Sequence, residues 1–127
     1  MITFLEKNNL LSWIVVVLIA VFIFAISSIP FESGFIGNSS NYKAILYHFF
    51  AFFSLALFLA IAITKGKKVN SIHFAIFIAI VYAILDEIHQ LFVPGRYGSL
   101  TDVLINCIGI LSAIVFYLYR LKYSKYL

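Results

Sequence analysis

Apolar residues along this chain come in four long runs, separated by short polar or basic stretches, rather than in alternating or amphipathic patterns. The first run, about Leu10 to Ile29, carries no charge. At about 1.5 Å per residue it is long enough to cross a hydrocarbon layer of about 30 Å. Pro30 closes it. The second goes from about Lys43 to Thr64 and stops at Lys65-Gly66-Lys67-Lys68, where glycine and clustered lysine predict a short turn. The third covers about Val69 to Val93 and ends at Pro94-Gly95, and the fourth starts near Ser99 and ends at Arg120. In lipid only helices and closed barrels satisfy every backbone polar group, and these runs are too long and too uniformly apolar for barrel strands. The pattern predicts an all-α polytopic membrane protein: a four-transmembrane-helix bundle forming a single domain over residues 1–127, without internal repeats.

Composition agrees, with 64% hydrophobic and 11% charged residues, where soluble proteins have roughly a quarter charged. The first run exceeds the apolar region of a signal peptide, about 7–15 residues, so it is expected to stay as a membrane helix. Phe31 to Asn41 has loop chemistry, and its Asn38-Ser39-Ser40 triplet fits a glycosylation acceptor to which no function is attached. The formal net charge of +4 raises nucleic acid as a partner, but the basic residues flank the apolar runs instead of forming a stripe. No nucleic acid is expected.

Those basic residues set the orientation. An even number of spans puts both termini and the middle turn on one side, which carries Lys7, Lys65, Lys67, Lys68, Arg120, Lys122 and Lys125, against only Lys43 and Arg96 opposite. The bias predicts a multi-pass cell-membrane protein with cytoplasmic N- and C-termini and an outward Pro94 to Ser99 loop. Tyr117, Tyr119, Tyr123 and Tyr126 suit an interfacial aromatic belt at the basic end.

Ionisable groups at membrane depth persist mainly where they pair or line a polar cavity. Asp86, Glu87, His89 and Gln90 occupy the last turns of the third run, with Asp86 and Gln90 one above the other. Asp102 and Asn106 repeat the spacing at the start of the fourth run, followed on that face by Gly109 and Ala113, small enough for close helix approach. His48, about one turn inside the second run, reaches the same level. Arg96 is the natural counter-charge for Asp86, Glu87 or Asp102, and its planar guanidinium equally suits a phosphate or carboxylate. One outward polar pocket is therefore expected from His48, Asp86, Glu87, Gln90, Arg96, Asp102 and Asn106.

The series Asp86-Glu87-x-x-Gln90, Pro94-x-Arg96, Asp102-x-x-x-Asn106-x-x-Gly109 resembles the signature of the VanZ-like membrane protein family. His48-Phe49-Phe50-Ala51-Phe52 resembles that family's His-Phe-x-x-Tyr segment, and Ser27-Ser28-Ile29-Pro30 resembles the Ser/Pro turn after its first helix. The chain departs from the pattern at Ile45, where the family often has lysine, and at Phe52, where a tyrosine hydroxyl is missing. The resemblance implies a link to glycopeptide (teicoplanin) resistance and no defined reaction.

Three readings stay open from the residues. In an enzyme acting on an envelope lipid or lipid-linked intermediate, Glu87 or Asp86 would be general base, His48 or His89 its acid partner, and Arg96 the anion holder. A binding protein would use the pocket, with Gln90, Arg96, Asp102 and Asn106 contacting the lipid, the intermediate or the glycopeptide. A purely structural protein would use the polar groups to join helices. His48, Glu87, His89 and Asp102 are suitable metal-ligand types but lack a local spacing motif, so no metal is expected. No glycine-rich phosphate loop or dinucleotide fingerprint is found, and no cofactor is expected. His73 reads as interfacial and Cys107 as packing. Four helices without a repeat make a poor transport pathway.

Overall fold

The computed structural model describes residues 1–30, 41–67 and 69–124. A short helix α1 (Ile2–Lys7) precedes α2 (Asn9–Ser27), followed by α3 (Asn41–Thr64), α4 (Ile72–Gln90) and α5 (Leu100–Ser124). The last four are each long and apolar enough to cross a membrane. Described residues form no strand, so the all-α, four-span expectation holds. The loop reading of residues 31–40, with its Asn38 triplet, and the roles given to Lys68, Lys125 and Tyr126 lie outside the described residues.

The observed ends differ from the sequence reading where local chemistry intervenes. Helix α4 stops at Gln90, three residues before Val93. Beyond it the amides of Leu91, Phe92, Val93 and Arg96 each bond three residues back, at 3.0–3.2 Å. Pro94 has no amide and disfavours helical geometry at Val93, so the chain tightens into successive turns. Val69–Ser71 form a 3₁₀ turn ahead of α4. Neither that turn nor α1 was expected.

Helix α3 is central, touching α1, α2, α4 and α5, while α2 and α5 make no mutual contact among the described residues. Its closest partner is α5. Gly109 explains the approach: a Cβ there would stand 2.5 Å from the Phe49 carbonyl oxygen, so any side chain would force the helices apart. Ala113 on the same face is fully buried. Helix α4 uses Ala75, Ala79 and Ala83 for the same purpose, all at 0% exposure. Phe, Leu, Ile and Val side chains facing outward from the spans are largely exposed, as a lipid-facing surface requires.

Candidate functional site

At the end of the bundle marked by Pro94, the expected polar residues come together from three helices. His48 is 4% exposed, Asp86 and Glu87 5%, Gln90 2% and Asn106 0%. His48 on α3 is the hub: its Nδ1 lies 3.1 Å from Asn106 Oδ1 and 3.8 Å from Glu87 Oε1. Its Nε2 lies 3.9 Å from Asp102 Oδ2. Gln90 donates an amide hydrogen to Asp86 Oδ2 at 3.1 Å, the bond their one-turn spacing predicts.

Local folding determines which carboxylate atoms stay available. Ser99 begins α5, its hydroxyl accepting from the Asp102 amide at 3.3 Å. In a capping box the third acidic residue would accept the amide of the first. Here Glu87 Oε2 of α4 takes the Ser99 amide instead, at 3.1 Å. The Asp102 carboxylate in the first turn of α5, where the helix dipole favours it, is thereby left to face His48. Gly98 lets the strands of this corner close, since a Cβ on it would meet the Glu87 carbonyl oxygen at 2.8 Å.

Two expected members are placed differently. Arg96 donates through Nε to the Ile29 carbonyl at 3.1 Å and through Nη2 to the Ile26 carbonyl at 2.8 Å. It therefore ties the Pro94 turn to the C-terminus of α2, where a cation is favourable. His89 turns away from the cluster, stacked on Phe24 at 4.6 Å with Nε2 2.9 Å from Ser28 Oγ. The Ser28 hydroxyl donates to the Phe24 carbonyl at 2.7 Å, so the imidazole is the donor to it. His89 joins α4 to α2 in this structure, away from the three carboxylates.

Tyr47, absent from the sequence reading, enters the site together with Ser27 of the Ser/Pro turn. Among the described residues, the buried side-chain polar atoms short of hydrogen-bond partners are Ser27 Oγ, Tyr47 OH, Glu87 Oε1 and Asn106 Nδ2. All four belong to this end of the bundle. Tyr47 lies against Ser27, close enough for their hydroxyls to share a hydrogen bond, so the atoms wholly without a partner are Glu87 Oε1 and Asn106 Nδ2. The signal that could have found Tyr47 is simple adjacency: it precedes His48 in a helix whose polar residues are few. An apolar groove of about 500 Å³ runs between α2 and α3 from Ile19 and Ser54 up to Leu46 and Tyr47. Tyr47 is where this groove adjoins the polar end.

The opposite, basic end holds a second cluster that the sequence did not reveal. Arg120 donates to Glu6 Oε1 at 2.8 Å and to Thr3 Oγ1 at 2.7 Å. Tyr117 donates to the same Glu6 oxygen at 3.0 Å and lies 2.8 Å from Thr64 Oγ1. Tyr117 is fully buried, which overturns its placement in an aromatic belt. Tyr119 and Tyr123 are 61% and 51% exposed, as a belt requires.

No curated protein and no solved structure matches the chain significantly. The VanZ/LLP1 family model, in contrast, matches residues 6–122 and so takes in every span and every member of the Pro94 cluster. The chain is a membrane protein of the VanZ/LLP1 family.

Proposed function

We propose that the Pro94 end receives the head group of a cell-envelope lipid or lipid-linked intermediate, in the outer leaflet of the cell membrane. The observation carrying this reading is that the buried polar atoms short of partners among the described residues lie at one end, Glu87 Oε1 and Asn106 Nδ2 beside His48, with the Ser27 and Tyr47 hydroxyls left only each other. Burying an unpaired polar group costs about 1–3 kcal/mol, so a set of them in one place is retained for what it binds. The adjoining groove between α2 and α3 is apolar and of a size for acyl chain, so a ligand with a polar head and a hydrocarbon tail fits both surfaces. The excess of lysine and arginine at the other end supports cytoplasmic termini and an outward Pro94 turn. The family's association with glycopeptide resistance agrees with an envelope ligand, and the glycopeptide itself is the competing occupant.

A second reading, action on that lipid, is favoured by His48. Each of its ring nitrogens faces a carboxylate, Glu87 on one side and Asp102 on the other. An imidazole so placed moves a proton between the ligand and a carboxylate. Lipid analysis of cells carrying wild type or Asp86→Asn with Glu87→Gln, with the thermal stability of both proteins, separates the readings. Altered lipids at unchanged stability indicate an enzyme. Unaltered lipids with lost head-group binding indicate a binding protein, and a collapse in stability alone returns the cluster to a structural role.

A further inference from the structure

Asp86, Glu87 and Asp102 bring three carboxylates to the Pro94 end, and the Arg96 guanidinium bonds to the Ile26 and Ile29 carbonyls. Buried negative charge is costly unless it is paired or holds a cation, and it would repel an anionic head group. One donor atom each from His48, Asp86 and Glu87, all three residues buried, lie within 4.8 Å of one another. We propose that His48, Asp86 and Glu87 hold a divalent first-row metal cation of the manganese or zinc class, which an anionic head group then meets. The ligand in this statement rests on the head-group reading above; the ion does not.

One buried, partnerless carboxylate oxygen points to such an ion. Glu87 is 5% exposed; Ser99 occupies its Oε2, and its Oε1 has no hydrogen-bond partner and faces His48 Nδ1 at 3.8 Å. Two donors on one ion, each about 2.0–2.2 Å from it, lie at most about 4.4 Å apart. The 3.8 Å spacing of His48 and Glu87 is therefore too long for a hydrogen bond and suited to a shared cation, and Asp86, with the set lying within 4.8 Å, needs to close in by only a few tenths of an ångström on binding. Asn106 is 0% exposed, and its Oδ1 lies 3.1 Å from the same Nδ1, where the amide oxygen can serve as a further ligand. In the metal-free geometry a proton on Nδ1 takes the place of the ion, so binding releases it. The partnerless donor Asn106 Nδ2, beside the Tyr47 and Ser27 hydroxyls, calls for the opposite charge, such as a phosphate oxygen bound to the ion.

The surrounding bonds are those a metal site needs. Gln90 orients Asp86 and the Ser99 amide orients Glu87. With Nδ1 on the ion, Nε2 faces the Asp102 carboxylate at 3.9 Å, beyond hydrogen-bond length but on the side where a carboxylate backs a ligand histidine. Magnesium and calcium prefer all-oxygen sites, whereas one imidazole with carboxylates suits manganese, iron or zinc.

Mn²⁺ titration of the full chain in nanodiscs, read by electron paramagnetic resonance, tests the site. The expected result is one Mn²⁺ per chain, displaced by Zn²⁺ and not by equal Mg²⁺, with nitrogen coupling from an imidazole in the echo modulation. Glu87→Gln should weaken binding by at least roughly tenfold, and Gln90→Ala by about 10–100-fold, while His73→Ala leaves it unchanged. The nitrogen coupling is read on the unmutated protein, so it stands even if a variant fails to fold. Absence of Mn²⁺ binding at millimolar concentration, or binding without nitrogen coupling, overturns the site. Anionic and zwitterionic lipids are then compared with and without EDTA. Anionic-lipid binding lost in EDTA supports the bridging role; lipid binding that persists in EDTA without Mn²⁺ binding overturns the cation and leaves the head-group reading intact. Mn²⁺ binding without any lipid preference supports the cation and overturns the head-group reading.

Discussion

The two ends of this bundle use the same kinds of side chain in opposite ways. At the basic end Arg120, Glu6, Tyr117, Thr64 and Thr3 form a chain of bonds between 2.7 and 3.0 Å, and none of its buried side-chain atoms lacks a partner among the described residues. At the Pro94 end His48 faces Glu87 and Asp102 at 3.8 and 3.9 Å, and partnerless atoms collect around them. Polar groups kept for stability close on one another. Those at the Pro94 end, which we propose serve a ligand, are held apart, each fixed from behind by Gln90, Ser99 or Asn106.

Mutations at the basic end should therefore affect folding most. Glu6→Gln or Arg120→Met leaves the other member of a largely buried pair without its counter-charge, their side chains being 9% and 22% exposed. A loss of about 2–3 kcal/mol is expected, below the 3–5 kcal/mol of a fully buried pair because Arg120 is partly solvated. Reversible unfolding in mixed micelles measures it. Gly109→Val comes next, at roughly 1–3 kcal/mol: the added carbons meet the Phe49 carbonyl and push α5 from α3. Because that same contact holds Asn106 against His48, this variant should also lose head-group binding, as a lipid-dependent thermal shift reads.

Tyr117→Phe removes the hydroxyl between Thr64 and Glu6 and should cost about 1 kcal/mol, the scale of a hydrogen bond in a membrane, with binding at the Pro94 end retained. Glu87→Gln should have the smallest effect on stability, within about 0.5 kcal/mol of wild type by the same scale. Its carboxylate shares one backbone hydrogen bond and no close ion pair, and a glutamine oxygen can still accept from Ser99. Binding should nonetheless be lost. A Glu87 variant as unstable as Glu6→Gln would erase the distinction between the ends.

The four spans were legible because lipid leaves a long apolar run little choice but a helix. His48, Asp86, Glu87, Gln90, Asp102 and Asn106 were legible because polar groups inside such runs are rare and share one level. What the structure adds to the expected convergence is His48 as its hub, with the distances to Asn106, Glu87 and Asp102. Helix α1 was hidden because six residues carry no helical signal of their own; Glu6 is anchored by Arg120, 114 residues away. Arg96 and His89 were misplaced for a related reason. Both are drawn to the end of α2, where carbonyls and Ser28 offer partners that no local spacing reveals. Tyr117 could have been found: it continues the face of Gly109 and Ala113 by one more turn, and that phase outweighs its nearness to the basic residues.

The most direct measurement is the shift in melting temperature that envelope lipid extract produces in the full chain in detergent, for wild type, Tyr117→Phe and the Asp86→Asn, Glu87→Gln pair. The account predicts the shift in the first two and its loss in the third, whose melting without lipid stays close to wild type. An equal shift in all three proteins would contradict it.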